Sequence, residues 1–136
     1  MPVFEHATQV RVRYAETDQM GVVWHGNYLQ YFEVARTEAL RACGWSYRAM
    51  EESGIMLPLV EAHVEYVLPA RYDDLLTVKT CVREPPKARL RFDYEVLNAA
   101  GEILATGHTV LGFVDAATRR PCRPPAQLRE LFAAAP

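Results

Sequence analysis

A chain of 136 residues, half of them apolar, with 15 Lys+Arg against 17 Asp+Glu and a net charge of -2, has the size and composition of one globular domain spanning 1–136. That balance gives no general attraction to a phosphate backbone or an anionic membrane, so no nucleic-acid partner is expected. No apolar run approaches the roughly 20 residues of a membrane helix, and the start, Met1-Pro2-Val3-Phe4-Glu5-His6, lacks the basic-then-apolar order of a signal peptide, so no membrane insertion and a cytoplasmic location are expected.

Taken in chain order, residues 8 to 14 alternate apolar and polar side chains, which predicts a strand that buries Val10, Val12 and Tyr14 and leaves Gln9, Arg11 and Arg13 in water. Ala15 to Gly26 has no helical period and carries Asp18, Gly21 and Gly26, so it reads as a long functional loop. Asn27 to Cys43 is helical, with Asn27 as N-cap and Gly44 just past the end. Its apolar band, from Tyr28 to Leu40, is too wide for a surface helix and implies a sheet wrapped around it. A short helix follows from Ser46 to Ser53, capped by Ser46 and stopped by Gly54.

Four strands come next: Leu59 to Leu68, Leu75 to Glu84, Ala88 to Leu97 and Glu102 to Val114, the last two joined by a tight turn at Ala99-Ala100-Gly101. A short helix from Ala126 to Ala134 closes the chain. The sum is an α+β domain, one mostly antiparallel sheet curved around one helix. Cys43, Cys81 and Cys122 have neither metal nor disulfide spacing, and His6, His25, His63 and His108 are scattered. Nothing points to a metal.

The stretch from Tyr14 to Tyr28 places an acid, a glycine break and a histidine just before the N-terminus of the buried helix. Free N–H groups there polarise a carbonyl oxygen, and the backbone around Trp24 to Gly26 is the candidate donor. Asp18, on the other side of that carbonyl, would act as a general base for water or as a nucleophile. Each residue alone also fits a plainer role: Asp18 a turn carboxylate, His25 a structural hydrogen-bonding group, Tyr14 a core residue.

The segment YAETDQMGVVWHGNYLQYFEVAR, Tyr14 to Arg36, closely resembles the signature of the hot-dog-fold acyl-CoA thioesterases of the 4-hydroxybenzoyl-CoA thioesterase type, in particular the Tol-Pal-associated branch. The likeness continues through PARYDDLLTV (Pro69 to Val78), FDYEV (Phe92 to Val96) and VDAATRRPCRPP (Val114 to Pro125). It implies a five-stranded antiparallel sheet around a long central helix, a homo-oligomer (dimer or dimer of dimers, hence a homotetramer) with sites at the subunit interface, and hydrolysis of the thioester of an acyl-CoA, or alternatively of an acyl carrier protein, without metal or organic cofactor. By position, it puts the catalytic carboxylate on Asp18, the associated tyrosine and histidine on Tyr14 and His25, and the oxyanion donor at the backbone N–H of Trp24 or His25. Trp24 stands where the family commonly has tyrosine, and Arg89 where small hydroxyl residues are common.

For the phosphates of coenzyme A, the candidates are Arg83, Lys87, Arg89 and Arg91 around Pro85-Pro86, residues that would serve equally as a basic edge against strand aggregation. For the acyl group they are Met56, Leu57, Pro58, Val60 and His63 of a partner subunit. Two other activities share features of the pattern. A hydratase or dehydratase on enoyl thioesters would also use an Asp and a His, and a non-catalytic acyl-thioester binding protein would keep the pocket alone.

Overall fold

The computed structural model describes residues 2–133, with β1 (Phe4–Arg11), a 3-10 turn (Tyr14–Glu16), α1 (Asn27–Ala42), α2 (Tyr47–Glu52), β2 (Ile55–Met56), β3 (Leu59–Tyr66), β4 (Leu75–Val82), β5 (Arg89–Leu97), β6 (Ile103–Gly112), β7 (Val114–Asp115) and α3 (Ala126–Leu131) in chain order. Five strands form one antiparallel sheet in the order β1-β4-β5-β6-β3, and β2 pairs with β7 apart from it. Alternation decides the inner face. Leu76, Val78, Thr80 and Val82 of β4 and Leu90, Phe92, Tyr94 and Val96 of β5 are buried, while Lys79, Arg91 and Glu95 between them point outward.

Across that inner face lies α1, which buries Tyr28, Tyr31, Phe32, Ala35, Ala39 and Leu40. Phe32 stacks on Tyr94 with ring centroids 4.2 Å apart and planes 4° from parallel. The helix comes this close because β6 carries Gly107, where a Cβ would sit 2.3 Å from the His63 carbonyl oxygen and 2.8 Å from the Phe32 ring. This is the α+β hot-dog arrangement, a five-stranded antiparallel sheet curved around a long helix. Within one chain the sheet covers one side of α1 only: Leu29 and Val34 remain exposed on the other.

Several boundaries differ from those read in the sequence. β1 starts at Phe4 and ends at Arg11, its inward row being Phe4, His6, Thr8 and Val10, followed by buried Val12. Tyr14 is therefore not part of the strand and not buried; it is 77% exposed on the 3-10 turn. Asn27 does not cap α1. Gly26 occupies the cap position without a side-chain bond, and the Asn27 amide donates to the Glu16 carbonyl at 2.7 Å. Gly44, at φ +83°, ends α1 as expected, and the Ser46 hydroxyl caps α2 by accepting the Ala49 N–H at 3.0 Å.

The predicted strand from Glu102 to Val114 breaks at Phe113, which turns into the core while Val114 leaves to pair with Met56. The last predicted residue of α3, Ala134, lies outside the described residues. None of the described helices is long and apolar enough to cross a membrane.

Candidate active site

Between β1 and α1 the chain forms a small hairpin instead of an open loop. Thr17 bridges Val23 in antiparallel fashion, and the Asp18 N–H donates to the Val22 carbonyl at 2.9 Å. The Gly21 N–H donates back to the Asp18 carbonyl at 2.9 Å, closing a four-residue turn, and Gly21 itself sits at φ +78°, a conformation that favours glycine. Oδ1 of Asp18 accepts the Met20 N–H at 2.8 Å, the turn role that an aspartate at this position plays. Oδ2 has no hydrogen bond among the described residues. The half-buried carboxylate is thus held by one oxygen and open at the other.

The second arm of the hairpin leads to the start of α1. Val23 is anchored by its N–H to the Ala70 carbonyl (2.8 Å), Trp24 by its N–H to the Glu16 carbonyl (2.9 Å), and the Asn27 N–H donates to the Trp24 carbonyl (2.9 Å). Of the two expected oxyanion donors, the Trp24 N–H is therefore engaged inside the chain. The N–H groups of His25 and Gly26 have no acceptor among the described residues and stand at the positive end of a 16-residue helix.

The His25 carbonyl accepts the Tyr66 hydroxyl at 2.7 Å, which ties this corner to the end of β3. The exposed His25 imidazole packs on the Trp24 indole, ring centroids 4.8 Å apart. Gly26 makes room for that indole, since a Cβ there would lie 2.3 Å from its ring. Tyr14 meets Tyr72 edge-on at 5.6 Å, and both rings are exposed.

One residue at the site escaped the sequence reading. Glu16 is buried, and its carboxylate accepts the Arg13 N–H (2.9 Å), the Arg13 Nε–H (3.0 Å) and the Tyr31 hydroxyl (2.9 Å). Burial alone would raise its carboxyl, but the hydrogen bonds from Arg13 and Tyr31 and the Arg13 charge outweigh it and hold the group below the ordinary value of 4.5. Burial first, then the Glu16 carboxylate, pushes the Tyr31 phenol up, so it remains a protonated donor.

A consequence for stability follows from the sign of the Glu16 shift. A carboxylate bound more tightly to its charged form in the folded chain stabilises the fold above its unfolded value, and that contribution is lost as the pH falls through the lower folded one. The thermal midpoint of the wild type is expected to drop more steeply below pH 4.5 than that of Glu16→Gln, measured by circular dichroism across an acid series. Parallel curves for the two proteins would contradict the assignment.

The predicted substrate residues separate into groups. Arg83 and Arg91 both pair with Asp93, at 3.6 Å and 3.1 Å, on the outer face of the sheet. Arg89 is exposed at the start of β5. Lys87 instead joins Arg123 and Arg129 from the C-terminal segment around a cavity of about 440 Å³, whose other walls are Pro86, Ala88, Cys122 and Pro124, with no acidic side chain. Arg123 and Arg129 were not identified in the sequence, because they lie more than thirty residues away from Lys87 along the chain.

Leu57 packs on the core, Pro58 accepts the Gly112 N–H at 2.9 Å, and Met56 pairs with Val114. Val60 is exposed at an irregularity in β3, where the register shifts between Leu59 and Glu61. His63 lies apart from these. The β3 alternation puts Tyr66 on the helix side, against Tyr28, and His63 on the outer face, where it stacks on His108 at 5.4 Å.

The family model of the Thioesterase-like superfamily matches residues 12–132. Among relatives, the acyl-CoA thioester hydrolase YbgC of Escherichia coli is 34% identical over 112 residues, 82% of this chain and 84% of that one. The acyl-CoA thioesterase YbgC of Haemophilus influenzae is 32% identical over 124 residues, 90% of each chain. The crystal structure of a DHNA-CoA thioesterase from Staphylococcus aureus superposes with a TM-score of 0.90 at 36% identity, covering 95% of this chain and 89% of the other. A model match over nearly the full length, together with a fold that superposes on a thioesterase, makes this chain a member of the Thioesterase-like superfamily.

Proposed function

We propose that this protein hydrolyses the thioester of an acyl-CoA to the free acid and coenzyme A, with water as the only co-reactant. The observation that carries the reading is the hairpin itself: one arm holds Asp18 with a free carboxylate oxygen, and the other ends in the open N–H groups of His25 and Gly26 at the start of α1. The thioester carbonyl oxygen would be received at that helix start, His25 N–H replacing Trp24 N–H as the first donor. Asp18 then either deprotonates the attacking water or attacks the carbonyl carbon itself. In the first route water's oxygen replaces sulfur on the acyl carbon directly; in the second the Asp18 oxygen replaces it, giving a mixed anhydride that water then cleaves to the free acid and the regenerated carboxylate. In both, the C–S bond breaks and the sulfur leaves as the thiol with a proton that comes from water.

His25 and Tyr14 border this site as positioning groups, the imidazole seated on Trp24 and the phenol on Tyr72. A second chain completes the pocket in this reading. Met20, Trp24, Leu29, Val34, Leu59, Val60, Tyr66 and Val67 are exposed apolar side chains of the hairpin, the outer side of α1 and the edge strand β3 and its end, the kind of patch and open edge that a partner copy covers. Leu57, Pro58 and Val60 of that copy would face the acyl group, and the assembly would be a homodimer or a homotetramer built from two of them.

For the nucleotide end, the wall of Lys87, Arg123 and Arg129, which has no acidic side chain, is a better seat for phosphates than Arg83 and Arg91, which share the Asp93 carboxylate. Replacing Arg123 and Arg129 by Ala together is expected to raise KM for an acyl-CoA by about tenfold with kcat unchanged, and to leave turnover of the matching acyl-pantetheine, which lacks those phosphates, as in the wild type. An equal loss on both substrates would contradict it. The activity itself is tested by a panel of short, long and aromatic acyl-CoAs with thiol detection. Thiol release from at least one of them is the expected result, and a panel with no release would refute the reading.

A further inference from the structure

The residue that escaped the sequence reading has a placement that none of the site residues shares. Through its side chain, Glu16 joins the 3-10 turn to the second turn of α1, since Tyr31 donates to Oε1 at 2.9 Å and the Arg13 N–H reaches the same oxygen at 2.9 Å. Through its main-chain carbonyl, it also receives the Trp24 N–H at 2.9 Å and the Asn27 amide at 2.7 Å. Both arms of the hairpin and the start of α1 therefore meet on one residue. Asp18 lies two positions after it, and His25 immediately follows Trp24. We infer that Glu16 is a positioning residue of the hydrolytic site: its buried carboxylate anchors the turn on Tyr31 so that its carbonyl holds Trp24 and Asn27, which leaves the His25 and Gly26 N–H groups turned to substrate and Asp18 opposite them.

The anchoring depends on the acceptor at Oε1. The Arg13 guanidinium that closes on Oε2 is largely exposed and contributes little, so a glutamine, which keeps a carbonyl oxygen, retains most of the function. An alanine instead leaves the buried Tyr31 hydroxyl and the Arg13 N–H without their acceptor. This inference rests on the thioesterase reading above, and its test separates the two.

The experiment compares wild type, Glu16→Ala, Glu16→Gln, Tyr31→Phe and Thr109→Val. The last breaks an equally buried hydroxyl pair, Tyr94 with Thr109 at 2.7 Å, inside the sheet and away from the hairpin. Thiol release is measured on the best acyl-CoA, alongside thermal midpoints and amide hydrogen exchange. For Glu16→Ala, kcat is expected to fall about 100-fold while KM stays within about threefold, and the Trp24 amide to exchange at least about tenfold faster.

Glu16→Gln is expected to recover kcat to within about fivefold of the wild type, with Tyr31→Phe between the two. Thr109→Val is expected to lower the midpoint and leave kcat and KM unchanged. The inference is overturned if Glu16→Ala keeps wild-type kcat or Trp24 exchange, if Gln is as impaired as Ala, or if Thr109→Val loses as much kcat at a matched drop in midpoint. Wild type inert toward every thioester would remove the hydrolase reading and the positioning role with it, a failure visible before any variant is made.

Discussion

Asp18→Asn is expected to lower kcat on acyl-CoA by about 1000-fold, with KM changed by less than about threefold. Asparagine has the same shape and keeps a carbonyl oxygen to accept the Met20 N–H, so the turn from Asp18 to Gly21 persists. What it removes is the charge and basicity of the oxygen that the hairpin leaves open. About 4 kcal/mol of transition-state stabilisation corresponds to that rate, and the thermal midpoint should stay within about 2 °C of the wild type. Asp18→Ala should be as inactive and also less stable, because it removes the turn hydrogen bond as well. Separating these two readouts distinguishes a chemical role from the turn role that the same side chain plainly has. An Asn variant with wild-type kcat would leave Asp18 a turn residue only.

The second large effect concerns the sheet behind the site. Gly107→Ala is expected to destabilise the fold by about 3 kcal/mol, lowering the thermal midpoint by roughly 10 °C. Its Cβ would fall 2.3 Å from the His63 carbonyl oxygen, a backbone atom of the neighbouring strand that cannot swing aside, and 2.8 Å from Phe32, which is held flat on Tyr94. Relief requires β3 to part from β6 or α1 to lift off the sheet. Gly112→Ala on the same strand is the matched control: its Cβ would meet only Val60 at 3.7 Å, an ordinary contact, and its midpoint should be unchanged or slightly raised. Equal effects at the two glycines would contradict the packing argument.

The elements with the strongest local signals were legible in the sequence. Leu90, Phe92, Tyr94 and Val96 alternate with charged residues and form β5 as read, and Ser46 and Gly44 mark helix ends because capping depends on one or two residues at a time. Signals that depend on partners far along the chain were not. His6 and Thr8 take inward positions in β1 that a hydrophobic pattern does not mark, and the same pattern carried Tyr14 into a strand that ends three residues earlier.

At the site, Asp18 and the helix start stood out because they are contiguous with a glycine turn. Glu16 did not, since an acid beside an arginine in a loop looks solvated until Tyr31, 15 positions on, is brought against it. The basic cluster around Pro85-Pro86 divides into two groups: Asp93 of β5 pairs with Arg91 on its own strand and with Arg83 just past β4, and only Lys87 depends on distant residues, Arg123 and Arg129 of the tail.

The family, the fold and the hairpin converge on one chemical event, cleavage of a thioester by water. Its most direct test follows free thiol and enoyl absorbance together in one cuvette, with purified wild-type protein and an enoyl-CoA or its saturated analogue. The predicted result is loss of enoyl-thioester absorbance matched one-to-one by thiol release, and thiol release from the saturated analogue as well. Loss of enoyl absorbance without thiol, or saturable acyl-CoA binding with neither change, would contradict it.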